Sequence, residues 1–116
     1  MNKTGLSVRV DLGGHRLGPG KVALLEAIAA EGSISAAARR MGMSYRRAWE
    51  LVENLNQTFG TPVAATAAGG SRGGGASLTT TGEEIVSRYR AIEREALKAT
   101  EVHLAALAGR VARGDP

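Results

Sequence analysis

Two short helical patterns meet at a single glycine in this chain, Ile34 to Met41 and Tyr45 to Phe59 on either side of Gly42. Ser33 precedes the first and Ser44 the second, where a serine hydroxyl satisfies an otherwise unpaired amide of the opening turn. Where two helices cross closely the residues between them must be small, and Ala37 and Ala38 stand at that place. Gly42 offers a turn residue that takes positive φ without a Cβ clash. Met41, Met43, Ala48 and Leu51 complete an apolar inner face. The longer pattern sets Ala48, Leu51, Val52, Leu55 and Phe59 on one side, with Arg46, Arg47, Glu50, Asn54 and Gln57 largely on the other, as an amphipathic helix does. Small pair, glycine and flanking apolar positions, all in register, predict a helix-turn-helix unit.

The flanking segments extend that unit. Ser7 to Leu12 alternates polar and apolar residues and stops at Gly13-Gly14, which predicts a short half-buried strand ending in a turn. After Gly18-Pro19-Gly20, the spacing of Val22, Leu25, Ile28 and Ala29 predicts a helix over Lys21 to Ala30 that packs by its Leu25 and Ile28 face and stops at Gly32. Thr61-Pro62 breaks the third helix. Val63 to Thr66 and Ser77 to Thr80 then read as two strands of a hairpin around the glycine-rich stretch Gly69 to Gly75. From Gly82 onward Ile85, Tyr89, Ile92, Ala96, Leu97, Leu104 and Leu107 recur at helical spacing, predicting a long final helix to about Gly109, with Thr81 as cap and Glu83 and Glu84 favourable in its first turn. The expected fold is mostly α with a small β-hairpin, residues 1–109 forming one domain and residues 110–116 a frayed, flexible tail.

Composition agrees. A chain of 116 residues with 43% hydrophobic and 22% charged residues suits one small domain. Aromatic residues are 3%, so the core rests on Leu, Ile, Val and Met. Cysteine is absent, which removes disulfides, thiolate metal sites and cysteine nucleophiles together. No apolar run approaches the roughly 20 residues that span a bilayer, and Met1 to Asp11 lacks the charged and apolar regions of a secretory signal. A soluble cytoplasmic protein without membrane contact is the expectation.

Fifteen basic residues against eleven acidic ones give a net charge of +4, and three of the fifteen are lysines while the rest are arginines, whose planar fork suits phosphates and guanine edges. That balance favours a polyanion partner. In a helix-turn-helix reading, Ser44, Tyr45, Arg46 and Arg47 stand at the helix end that enters a DNA major groove. Either arginine can fork onto guanine O6 and N7, while Ser44, Tyr45 and the helix terminus hold phosphate. The same spacing also lets Arg46 and Arg47 pair with Glu50 on a merely solvated face. Trp49, beside Ala48, reads as a core anchor rather than a stacking ring. In the glycine-rich stretch, Arg72 is placed to touch a minor groove or its phosphates if the stretch is the tip of a wing.

Catalysis is not expected. Gly69-Gly70-Ser71-Arg72-Gly73 matches a nucleophile elbow in letters alone, since the elbow requires a strand entering and a helix leaving at the serine. The two histidines, His15 and His103, have no clustered ligand spacing, and no metal or cofactor site is expected.

Gly32-Ser33-Ile34-Ser35-Ala36-Ala37-Ala38, Met43-Ser44-Tyr45-Arg46-Arg47-Ala48-Trp49 and the glycine run before Leu78-Thr79 together resemble a known family. Over about residues 5–100 the chain is similar to the N-terminal winged helix-turn-helix domain of ModE-type molybdate-responsive transcription regulators, related more distantly to the LysR regulators. The resemblance implies a homodimer, built through the first and last helices, that binds double-stranded operator DNA of pseudo-palindromic sequence. It places Ser44, Tyr45, Arg46 and Arg47 at the major groove and Arg72 on the wing. Family members that sense molybdate carry C-terminal oxyanion-binding domains, so DNA binding is carried over and direct molybdate sensing is not. Control of molybdenum-related genes is the family expectation, and any small-molecule effector stays open. The rival reading is a protein-interaction module that uses the same fold without specific DNA binding.

Overall fold

The computed structural model describes residues 4–67 and 75–112. Along the chain run β1 (Val10–Leu12), β2 (His15–Leu17), α1 (Pro19–Glu31), α2 (Ile34–Arg40), α3 (Tyr45–Phe59), β3 (Ala64–Thr66), β4 (Ala76–Leu78) and α4 (Thr80–Ala108). Two separate antiparallel hairpins, β1–β2 and β3–β4, flank a helical body. The fold is a winged helix-turn-helix with a long final helix, as the sequence led us to expect.

The helix-turn-helix unit forms from local interactions. Ser33 Oγ accepts the Ala36 N–H at 3.0 Å and Ser44 Oγ accepts the Arg47 N–H at 3.0 Å, so both helices carry the expected caps. Gly42 sits at φ +68°, in the left-handed region. With the chain turned there, the Met41 N–H reaches Ala37 O, the Gly42 N–H reaches Arg39 O and the Met43 N–H reaches Ala38 O. Those carbonyls end α2 and would otherwise lack partners. Ala37 and Ala38 are buried where α2 crosses its neighbours.

Around this unit packs a single core. Val22, Leu24, Leu25 and Ile28 of α1, Val52 and Leu55 of α3, Val63, and Tyr89 of α4 are its largest fully buried side chains. The expected Leu25 and Ile28 face is buried, but Leu24 and Ala27 are buried beside it, because α2, α3, α4 and β4 all pack on α1. Ala29, counted with the apolar face, is exposed.

The predicted strand Ser7 to Leu12 is shorter, and its partner went unread. Gly13-Gly14 closes a two-residue hairpin turn, pairing Val10 with Leu17, Asp11 with Arg16 and Leu12 with His15. The pairing ends where Gly18-Pro19 leads into α1. Residues ahead of β1 are tied elsewhere: the buried Tyr89 hydroxyl donates to Val8 O at 2.6 Å. His15 Nδ1 lies 3.1 Å from Thr58 Oγ1, so the hairpin also touches the end of α3.

At the start of α4 the cap is Thr79, not the expected Thr81. Thr79 Oγ1 accepts the Gly82 N–H at 3.1 Å and donates to Pro62 O at 2.8 Å, while the Thr79 N–H donates to Val63 O at 3.1 Å. These contacts to the chain before β3 hold Thr79 in the extended conformation of a cap, and Thr81 falls inside the first turn. That turn lies so close to Val63 that a Cβ on Gly82 would stand 2.1 Å from Val63 O. The helix ends at Ala108, Arg110 to Ala112 follow it, and the rest of the expected tail lies outside the described residues.

One ion-pair cluster ties α1 to α4. Arg90 Nε donates to Glu26 Oε2 at 3.0 Å, Arg90 Nη2 donates to Glu26 Oε1, and Arg90 Nη1 donates to Glu93 Oε1. The Arg90 hydrogen bonds and charge hold the Glu26 carboxyl below its ordinary value of 4.5, against a smaller opposing effect of burial.

Three outcomes test this packing. Gly82→Ala is expected to destabilise by about 3 kcal/mol, because the clash is with backbone that cannot rotate away, and chemical denaturation reads it. Tyr89→Phe removes one hydrogen bond and costs about 1 kcal/mol in the same assay. Glu26 has a folded pKa below its unfolded one, so its stabilisation is complete above the unfolded value and is lost as pH falls through the folded value. The melting-temperature gap between wild type and Glu26→Gln should therefore shrink on acidification below 4.5. A gap that stays constant would mean that the Glu26 charge contributes nothing.

Candidate nucleic-acid interface

The amino-terminal turns of α3 form an exposed basic surface of the helical body. Tyr45 is 54% exposed, and the side chains of Arg46 and Arg47 are 87% and 61% exposed. Ala48, Val52 and Leu55 lock the opposite face of α3 into the core, so the exposed turn rests on a rigid base. Arg46 Nε lies 3.5 Å from Glu50 Oε2 and Arg47 Nη1 lies 3.7 Å from Glu50 Oε1. The solvated pairing is thus present, but one carboxylate serves two guanidinium groups. Exposed pairs of this kind contribute about 0–1 kcal/mol and are exchanged readily for a phosphate or a base edge. Ser44 Oγ uses a lone pair on the Arg47 N–H and keeps its hydroxyl proton for an outside acceptor.

Helical geometry separates the two arginines. With the buried face of α3 behind, Arg46 lies at the front with Glu50, Glu53 and Gln57, and the surface there also takes in Asn54 and Trp49. Arg47 and Leu51 turn to one flank, Tyr45 and Trp49 to the other. Asn54, on the polar side of the amphipathic pattern, has its Oδ1 engaged by Lys21 Nζ. The far end of α3 is not basic: Glu50 and Glu53 carry its charge.

Trp49 corrects an expectation. It packs on the core, but it is only partly buried and lines the clefts on either side of its ring. Tyr45 meets it edge-on, with centroids 6.3 Å apart and planes at 75°, a favourable arrangement for two aromatic quadrupoles. Trp49 therefore braces Tyr45 at the surface and is not a fully buried anchor.

The cleft on the Tyr45 flank contains two residues that the sequence reading passed over. Arg39 Nη1 donates to Ser35 Oγ at 3.1 Å, and both face Tyr45, Trp49 and Thr66 across it. Serine and arginine four apart near the end of a short helix were the available signal. Arg40, next in sequence, instead pairs with Glu31 at 3.1 Å. The β3–β4 hairpin borders the same cleft, held by Ala76 N–H to Gly32 O at 2.7 Å and Ala67 N–H to Gly75 O at 2.9 Å. Arg72, the expected wing contact, lies outside the described residues. Among the described residues no helix is long and apolar enough to cross a membrane.

Comparison with known proteins places this geometry. The chain is 51% identical over 80 residues to the molybdenum-pterin-binding protein MopB of Rhodobacter capsulatus, covering 69% of this chain and 30% of that protein. It is 41% identical over 90 residues to the molybdenum transport protein ModE of Azotobacter vinelandii (78% and 33% covered). With the DNA-binding transcriptional dual regulator ModE of Escherichia coli K12 the identity is 37% over 84 residues (72% and 32% covered). The matched region spans about a third of each relative's length. Among solved structures, the DNA-binding domain of CbnR in complex with DNA superposes with a TM-score of 0.58 at 23% identity, covering 76% of this chain and 95% of that one. Full-length CbnR with its target DNA gives 0.56 at 23% identity, covering 75% and 28%. These structures share the fold. Residues 20–83, from α1 into the first turn of α4, match the family of bacterial regulatory helix-turn-helix proteins of the lysR type, and the chain belongs to that family.

Proposed function

We propose that residues 1–109 form the DNA-binding unit of a cytoplasmic, non-enzymatic transcription regulator that grips a pseudo-palindromic operator as a homodimer. One observation carries this reading: the Ser44-capped turn of α3 holds Tyr45, Arg46 and Arg47 out of the core, with the Glu50 carboxylate shared between two arginines. The end of α3 enters the major groove, where Arg46, at the front, forks onto a guanine edge and the flanking groups hold phosphate. Glu50 and Glu53 disfavour lying the whole helix along the backbone, so entry is end-on. The segment between β3 and β4, with Arg72, reaches the minor groove or its phosphates.

Dimerisation is assigned to the distal half of α4. Only Gly82, Ile85 and Tyr89 of this helix are buried, all in its first three turns. Beyond them Ile92 and Leu97 are 42% and 45% exposed and Leu107 is 66% exposed, all toward one side of the helix. Apolar side chains repeated along a projecting helix suit burial against a second copy. Half-site centres then lie about one helical turn, roughly 34 Å, apart or at a multiple of it. The relatives' names, which mention molybdenum transport and molybdenum-pterin binding, support molybdenum-related target genes.

Genome-wide capture of bound fragments tests the function directly, and a two-fold site is the expected recovery. On that site Arg46→Ala with Arg47→Ala should lower affinity by about 10-fold or more at unchanged melting temperature, since a lost bidentate base contact costs about 1–3 kcal/mol. Leu97→Glu with Leu107→Glu should give a folded monomer in sedimentation and lose tight operator binding. Binding that captures protein, has little salt dependence and survives the arginine changes would establish the interaction-module reading instead.

A further inference from the structure

A second cationic groove lies on the flank of α3 opposite the Tyr45 cleft. It is about 480 Å³ in volume, and Arg9 and Arg16 of the β1–β2 hairpin region, Lys21 of α1 and Arg47 of α3 line it over a floor that includes Met43 and Leu51. No aspartate or glutamate lines it. Lys21 Nζ donates to Arg16 O at 2.9 Å and to Asn54 Oδ1, joining hairpin, α1 and α3 through neutral acceptors that leave its charge uncompensated. Among the described residues, no carboxylate lies within 4 Å of Arg16 or Lys21. Arg9 pairs with Asp11 at 3.3 Å and Arg47 with Glu50 at 3.7 Å, both exposed and exchangeable.

We propose that this groove binds backbone phosphates of the DNA, so that the hairpin forms a phosphate rail on the side of the recognition helix away from the wing. The inference rests on the DNA-binding reading above and adds a contact surface to it. A major groove is about 12 Å wide and bounded by a phosphate strand on each side, so a helix entering it presents one flank to each strand. The Tyr45 cleft, with Arg39 and the β3–β4 hairpin, faces one strand. Arg47 carries the positive surface around to the other, where Arg9, Arg16 and Lys21 continue it. The occupant is a phosphodiester strand rather than a small oxyanion, because the groove is open and its arginines are exposed on a surface continuous with α3. The β1–β2 hairpin precedes residues 20–83, which match the family, so the hairpin's part of the rail lies outside the matched segment.

The test measures affinity for a random-sequence duplex as a function of salt, and the ratio of that affinity to the affinity for the captured operator. Phosphate contacts set position and charge neutralisation without reading sequence. Arg9→Gln with Arg16→Gln should therefore flatten the slope of log K against log salt by about 1.8 per protomer, leaving the operator-to-random ratio and the melting temperature unchanged. Arg9→Lys with Arg16→Lys should restore the slope. Arg88→Gln with Arg110→Gln, which removes the same charge from exposed positions on and just after α4, should not alter it. An unchanged slope in the hairpin variant, beside a steep one in wild type, overturns the rail and leaves the function standing. Equal flattening by the α4 variant overturns it as a net-charge effect. Displacement of duplex from wild type by inorganic phosphate at matched ionic strength, but not from the hairpin variant, overturns it in favour of a free-anion site. A wild type with no salt slope on any duplex defeats the DNA-binding reading itself, and the rail with it.

Discussion

The direction in which α3 points depends on the close approach of α2 to its neighbours, and that approach depends on side chains no larger than a methyl group. Ala37 and Ala38 are buried at the crossing. A longer side chain at either place would push α2 outward and overpack a core that has little room to yield. Because Gly42 turns the chain immediately afterward, the Ser44 cap and the first residues of α3 inherit their orientation from that contact. Ala48, Val52 and Leu55 then pin the helix from behind. Arg46 and Arg47 are exposed, yet their backbone is held by buried alanines and a left-handed glycine, which is how a surface turn acquires the rigidity a binding site needs.

Charge is distributed with the same economy. Stabilising ion pairing is concentrated where α1 meets α4, in the partly shielded cluster of Glu26, Arg90 and Glu93. On the α3 surface the pairs are solvated and longer. Solvent screening makes the latter weak and exchangeable, which suits groups that must trade a carboxylate for a phosphate. The cluster at Arg90 also sets where α4 leaves the body, and hence where its exposed apolar half stands relative to α3. The structure-keeping cluster and the exposed charges of α3 are in this way kept apart.

Much of this was legible in the residue order. The bounds of α3, both serine caps and the turn at Gly42 agree with the pattern reading, because each arises from contacts between residues a few positions apart. The candidate residues Ser44, Tyr45, Arg46 and Arg47 follow from that local order, and the structure places all four at one helix end. Trp49 was harder, since an aromatic ring beside a buried alanine looks the same in sequence whether its outer edge is covered or not. Arg39 and Ser35 went unnoticed because their relevance comes from facing Tyr45 across a cleft bordered by the β3–β4 hairpin.

The sequence by itself determined the helix-turn-helix, the amphipathic character of α3 and the long periodicity of α4, all written in capping residues and in spacings of three and four. Tertiary structure alone decided that Thr79 rather than Thr81 caps α4, since the choice is made by Pro62 O and Val63 O from across the hairpin. It decided likewise that Gly82 must lack a side chain and that Lys21 engages Asn54 thirty-three positions away. These outcomes depend on which distant segments are brought together, and a contact between distant segments leaves no periodic trace in either of them.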